Sequence, residues 1–215
     1  MSQEIPASFI ADSLGLDFLN SVATPVDVPI DWIDDGEGLL SWLRQSRLVP
    51  TDVLGAMRAR AMPGELDRLA ARARSLREWF RAFVRERKGR PLEAADITAL
   101  APLNQLLARD EGFGRVLAHE HEGTLVLDYE RSRRWTSPAS LLLPIGDILA
   151  KLVCEEDFSY VKACEGPICT LLFADHTRGH ARRWCSMSVC GNRAKQAAHR
   201  NRAKRLATVG LQEGE

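Results

Sequence analysis

The chain has 215 residues, 45% of them hydrophobic, and its 29 Lys and Arg balance 29 Asp and Glu. That length holds one good core with room for a small second module, and that composition excludes a disordered or fibrous chain. No apolar run approaches the roughly 18 to 20 residues of a membrane span, and MSQEIPASFIADSLG at the N-terminus lacks the basic start and long apolar stretch of an export signal, so a cytoplasmic protein is expected.

In chain order, residues 13 to 22 (SLGLDFLNSV) read as a short helix, and TPVDVPIDWIDDGEG after them as an ordered connection or lid. LLSWLRQSRL repeats apolar residues at helical spacing, and Pro50-Thr51-Asp52 marks a stop and a new helix start. After Pro63, the residues Leu66, Leu69, Ala73, Leu76, Phe80 and Phe83 recur at three and four, which predicts a helix with one apolar stripe ending near Lys88-Gly89. A further helix is expected from about Ala94 to Ala108. The period then changes. FGRVLAHEHEGTLVLDYERS carries two β-prone runs around Glu122-Gly123, the pattern of a hairpin. SPASLLLPIGDILAKLVCEE predicts a core helix kinked or interrupted at Pro144, with Cys154 among its core residues. His119 and His121 alternate onto one strand face, where exposed histidines are a better account than a metal pair.

The expected fold class is mainly α, of α+β type. Residues 1–155 form a helix-rich domain with a small antiparallel hairpin, and 156–215 form a metal module ending in a basic helix. Asp17 and Asn20, three apart on the first helix, share a face, and Trp32 and Trp42 follow. These four could line a pocket for a small-molecule effector. The preferred alternative is that Asp17 and Asn20 cap or cross-link elements inside the core.

Four of the five cysteines crowd near the C-terminus as Cys164-EGPI-Cys169 and Cys185-SMSV-Cys190. Two short-loop pairs separated by a linker suit a closed tetrahedral Zn²⁺ site, and clustered thiols suit a reducing compartment better than a disulfide framework does. Four thiols complete such a shell, which leaves His176 and His180 as a lesser alternative. Trp184, beside a ligand, is expected to be a packing anchor.

WCSMSVCGNRAK, preceded by the paired-cysteine loop CEGPIC and followed by a basic tail, resembles the CGNR zinc finger family, named for the tetrapeptide Cys190-Gly191-Asn192-Arg193. In that family the finger follows an N-terminal domain called ABATE, described as a stress-induced transcription regulator. LGLDFLNS is similar to that domain's Leu-Asp-x-x-Asn-Thr signature, with Ser21 in place of Thr. The resemblance implies zinc ligation by Cys164, Cys169, Cys185 and Cys190 and a role in DNA binding and transcriptional regulation.

Charge supports the same partner. Between Tyr160 and Val209 ten Lys and Arg face two acids, giving +8, while residues 1–159 carry −6. Four thiolates with one Zn²⁺ lower the +8 by two, so the excess survives metal binding. Arg182, Arg183, Arg193, Lys195, Arg200, Arg202, Lys204 and Arg205 are the candidate DNA contacts, with Arg193, Arg200 and Lys204 on one helical face. Arg182 and Arg183 could instead brace the finger. Asn192 either faces nucleic acid or holds the knuckle around the sulfurs. No phosphate-cradling glycine loop, nucleophile elbow or HExxH stretch is present, so no enzymatic activity is expected. The runner-up reading is a zinc-stapled protein-interaction or RNA-binding module. The oligomeric state is open.

Overall fold

A computed structural model describes residues 6–24 and 28–200. Helix α1 (Leu14–Leu19) is followed by a two-residue pairing of β1 (Val22–Ala23) with β2 (Ile30–Asp31), and then by α2 (Gly36–Gln45), α3 (Thr51–Arg60) and α4 (Glu65–Arg87). A 3-10 segment (Ala94–Leu100) leads into α5 (Ala101–Leu107). The hairpin β3 (Gly112–His121) and β4 (Thr124–Arg133) comes next, then a second 3-10 segment (Pro138–Leu142) and α6 (Leu143–Glu155). The chain continues through β5 (Val161–Ala163) and β6 (Leu172–Ala174) to a π-turn (Met187–Gly191) and a last helix, α7, over 192–200. No helix among the described residues is long and apolar enough to cross a membrane.

The predicted elements form, with local reasons for their limits. Pro144 stands in the first turn of α6, where its missing N–H costs nothing, so it opens the helix after a 3-10 lead-in. Pro102 does the same for α5, splitting the single helix expected over 94–108. Asp35 caps α2 by accepting from the Gly38 N–H at 2.8 Å, so that helix starts three residues before the apolar run. Glu122 and Gly123 both have positive φ (49° and 76°), and His121 pairs with Thr124; this is the two-residue type I′ turn, whose twist matches that of the strands.

The core is continuous. The α4 stripe buries Leu69, Ala73, Phe80 and Phe83 against α1, α2 and the 3-10 lead-in of α6. α1 lies across α6 so closely that a Cβ on Gly15 would sit 2.7 Å from the Ile148 carbonyl oxygen, which leaves glycine as the residue that fits. Leu172, Phe173 and Ala174 of β6 belong to this same buried cluster, so the finger segment shares the core of the helical part.

One expectation is corrected, and two features were not anticipated. Cys154 is exposed, because the buried face of α6 runs through Ile145, Ile148, Leu149 and Leu152 and Cys154 lies off it. Arg77 and Arg81, on the buried side of α4, go inward. Arg77 donates to both carboxylate oxygens of Asp31 at 2.7 Å and to Ser21 Oγ at 3.0 Å, while Arg81 donates to the carbonyls of Leu19 and Val22. These two arginines clamp the turn after α1, and each charge is tolerated inside because it meets oxygen acceptors. Finally, β5 and β6 are strands that periodicity did not reveal, being three residues long.

Candidate metal centre

The metal centre is built on the β5–β6 hairpin. Cys164 follows β5 directly, and its N–H donates to the Leu171 carbonyl at 2.9 Å, extending the ladder by one rung. The CEGPIC loop then turns at Gly166, and Cys169 donates back to the Gly166 carbonyl at 3.0 Å. A Cβ on Gly166 would lie 3.0 Å from Cβ of Cys169 and 3.2 Å from Sγ of Cys190. A larger residue would therefore intrude on the sulfur cluster. Cys185 arrives after the 175–182 turn, and Cys190 lies in the π-turn that opens α7.

The four sulfurs all lie within 4.8 Å of one another, with Cys169 to Cys185 at 3.7 Å and Cys185 to Cys190 at 3.6 Å. The edge of a tetrahedron with ~2.3 Å zinc–sulfur bonds is about 3.8 Å. Sγ of Cys164 also accepts from the N–H of Gly166 at 3.4 Å and of Cys185 at 3.3 Å, bonds that support a thiolate. The sulfurs cannot all ionise unaided. Donation from Cys185 pulls the Cys169 thiol down to about 5 against the cost of burial. The same contact and then burial push Cys185 up, and burial first pushes Cys190 up to about 12. Cys185 and Cys190 hold their protons because burial and the neighbouring sulfur charge oppose ionisation, and a thiophilic dication is what lets those protons leave. The donor set thus fits Zn²⁺, which would order the loop and α7 and offers no open position for a substrate.

Among the described residues these four thiols form the only cluster of three or more metal-ligating groups. His176 pairs with Glu156 at 2.7 Å, and His180 stacks on Tyr160 with ring centroids 3.5 Å apart, so neither reaches the sulfurs. His119 and His121 share one exposed hairpin face, as their alternation requires. Asn192 does not touch a sulfur. Its side chain donates to the Ser188 carbonyl at 3.2 Å and so holds the π-turn that carries Cys190.

The basic residues separate into three groups. Arg182 is spent inside: it donates to the carbonyls of Ile10, Trp184 and Cys185, pairs with Asp12, and stacks 4.3 Å over Phe173. It braces the finger and is unavailable to an outside partner. Arg183 is bonded to Glu165 at 2.6 Å and lies over Trp184, which itself packs partly buried against the core. Arg193 is half-buried, whereas Lys195 and Arg200 stand exposed on α7. Arg193 and Arg200 therefore differ in surroundings although they share a helical face. Arg202, Lys204 and Arg205 lie outside the described residues.

The four residues expected to line an effector pocket do not come together. Trp42 is 1% exposed, edge-on to Phe18 in the core. Asp17 accepts from the N–H groups of Ile10 (2.9 Å) and Ala11 (3.0 Å). Asn20 donates to the Leu172 carbonyl at 2.7 Å and accepts from the Leu172 N–H at 2.9 Å, completing that residue's backbone bonding from the side. Asp17 and Asn20 thereby stitch the N-terminal segment and β6 to α1, which is a cross-linking role. Trp32 alone borders a cavity, of about 90 Å³, whose other walls include Ile10, Pro167, Leu171, Val189 and Arg193.

Sequence reasoning missed Asp175. It is fully buried, accepting from Lys162 Nζ at 2.7 Å, the Arg182 N–H at 2.9 Å, and the Thr177 N–H and hydroxyl. This carboxylate shapes the turn between the cysteine pairs. The Asp-x-Thr spacing of an Asx turn was its only local signal.

The comparisons agree with this geometry. No curated protein matches the chain. A family model named ABATE, described as "Putative stress-induced transcription regulator", matches residues 12–156, and the CGNR zinc finger model matches residues 160–203. The four converging thiols and the second match together make this a zinc-binding protein, and by the extent of the first match the chain belongs to the ABATE family.

Proposed function

We propose that the protein is a zinc-dependent DNA-binding transcriptional regulator in which α7 and the basic run continuing it lie against duplex phosphates. The observation that carries this reading is the place of Cys190 at the mouth of α7. The sulfur knot fixes where the helix begins, and Lys195, His199 and Arg200 stand exposed along it. A helix anchored at one end presents cations to phosphate without a core of its own, and leaves base reading to a few side chains. Catalysis has no part in this reading, since four thiols close the metal shell.

The effector reading moves to the cavity between Trp32 and Arg193, which joins an indole of the helical part to a guanidinium of the finger. A small apolar molecule bearing an acid group suits it, and would act on the first turn of α7.

Titration of zinc-loaded protein against a labelled random duplex at several salt concentrations tests the DNA reading. Affinity should fall linearly on logarithmic axes, and Lys195→Ala/Arg200→Ala should lower that slope by about two while zinc content stays the same. Absence of salt-dependent binding refutes the proposal in favour of a protein partner, and stronger binding of RNA refutes it in favour of an RNA module.

A further inference from the structure

The β3–β4 hairpin has more apolar surface than an isolated ribbon can keep in water. Its base is held, because Arg133 bonds Asp110 at 2.8 and 2.6 Å and Asp147 at 2.6 Å. Beyond the base, among the described residues, it pairs only with itself, as a two-stranded sheet. Register sorts its side chains. One face carries Gly114/Arg131, Val116/Tyr129, Ala118/Leu127 and Glu120/Leu125 as successive rungs, while the other carries Arg115/Glu130, Leu117/Asp128, His119/Val126 and His121/Thr124. Val116, Leu125, Leu127 and Tyr129, all on the first face, are 66–68% exposed. Such two-stranded ribbons are marginal alone, and a contiguous apolar face of this kind marks an interaction site.

We propose that this face docks against the same face of a second copy of the chain, the two ribbons running antiparallel about a two-fold axis. A two-fold contact requires a self-complementary surface, and the order of rungs supplies one. With the axis between the Val116/Tyr129 and Ala118/Leu127 rungs, the large Val116 of one copy meets the small Ala118 of the other. Gly114/Arg131 then faces Glu120/Leu125, so a cation at the base of each ribbon lies diagonally opposite an anion near the tip of the other, within reach of a long side chain. With four thiolates and one Zn²⁺ the loaded chain carries a formal charge of only about −2, so overall repulsion between copies is small. The ribbon face is about 33 Å long and about 10 Å wide. The two faces together cover about 660 Å², below the ~1,200 Å² at which stable interfaces begin, so the dimer should be weak and transient, dissociating at about 10–100 μM.

The inference does not rest on DNA binding, and its test uses none. Sedimentation velocity of the full zinc-loaded chain over a wide concentration range should show a transition from 23.9 kDa to twice that mass. Leu125→Glu/Leu127→Glu, at exposed positions, should stay monomeric throughout with unchanged circular dichroism and zinc content. Arg131→Glu should weaken the dimer about tenfold, and Arg131→Glu/Glu120→Arg should restore it. A wild type that is monomeric at every concentration overturns the proposal and leaves the face to a different protein. A dimer that survives Leu125→Glu/Leu127→Glu also overturns it, and failure of the double charge reversal to restore association overturns the antiparallel arrangement.

Discussion

The β3–β4 and β5–β6 hairpins are of opposite character. β3–β4 has ten residues per strand, a type I′ turn and an unbroken register, yet most of it stands in solvent. β5–β6 has three residues per strand, and β6 is buried throughout. The short one is held by long-range groups: Asn20 on Leu172, Ala11 on Ala174, Lys162 on Asp175, and four sulfurs drawn together. Local regularity and stabilisation are therefore separate matters. A strand pattern specifies a shape, and its anchorage depends on what the rest of the chain brings to it.

The contrast can be broken most severely at the metal. Cys185→Ser, or a strong chelator, should abolish stoichiometric zinc and remove amide protection across 160–200, while β3–β4 keeps its register. Structural zinc binding in small fingers is worth on the order of 10–16 kcal/mol in apparent terms, so this is the largest effect expected. Hydrogen exchange with metal analysis reads it, and a protected β5–β6 without zinc would show that packing alone suffices.

Asn20→Ala should come next. It strands the buried N–H and carbonyl of Leu172, at about 1–3 kcal/mol for each unmet group, and thermal unfolding of the holo-protein should fall by several degrees. An unchanged melting temperature would mean that β6 is held by zinc rather than by α1.

Asp17 adds a pH dependence to the same stitching. Burial pushes its carboxyl up to about 6, against the N–H bonds of Ala11 and Ile10, from an unfolded value of 3.8. Between these values the folded chain holds a proton that the unfolded chain releases, so stability should decline as pH rises through that window. The decline is up to about 3 kcal/mol, at about 1.4 kcal/mol per pH unit. Asp17→Asn should flatten it in denaturant titrations at pH 4 and 6. Asp175 acts with the opposite sign. Burial raises it, but Lys162 and the bonds from Thr177 and Arg182 prevail and hold it well below the usual carboxylate range. Its contribution is full above 3.8 and is lost as pH falls below that value.

The smallest effect belongs to the long hairpin. Gly123→Ala at φ 76° should cost about 1 kcal/mol locally. Faster exchange confined to β3–β4, with melting temperature and zinc content unchanged, would confirm that the arm is energetically separate from the core; a global loss of stability would contradict this.

Much of the metal centre was legible because its chemistry is local. Four thiols in two close pairs name their own ligand set, and the basic run after Cys190 is read directly from its letters. The same holds for the α4 stripe and for the turn at Glu122-Gly123, where neighbours in sequence are neighbours in space. Arg182 was less legible: it sits in a basic run, and only the positions of the Ile10 carbonyl and Phe173 show that it points inward. Trp42 and Trp32 looked alike as candidate pocket walls, and the packing of α2 against α1 and α4 sent one into the core.

The sequence by itself determined the long helices and the β3–β4 hairpin, the identity of the zinc ligands and the charge of the last helix, because each depends on spacing within a few residues. Only the tertiary structure decided that the finger shares the helical core, that Asp17 and Asn20 bind backbone instead of a ligand, and which arginines remain exposed. Those outcomes depend on groups as far apart as Asn20 and Leu172, and a buried polar atom takes whichever partner the fold brings within reach.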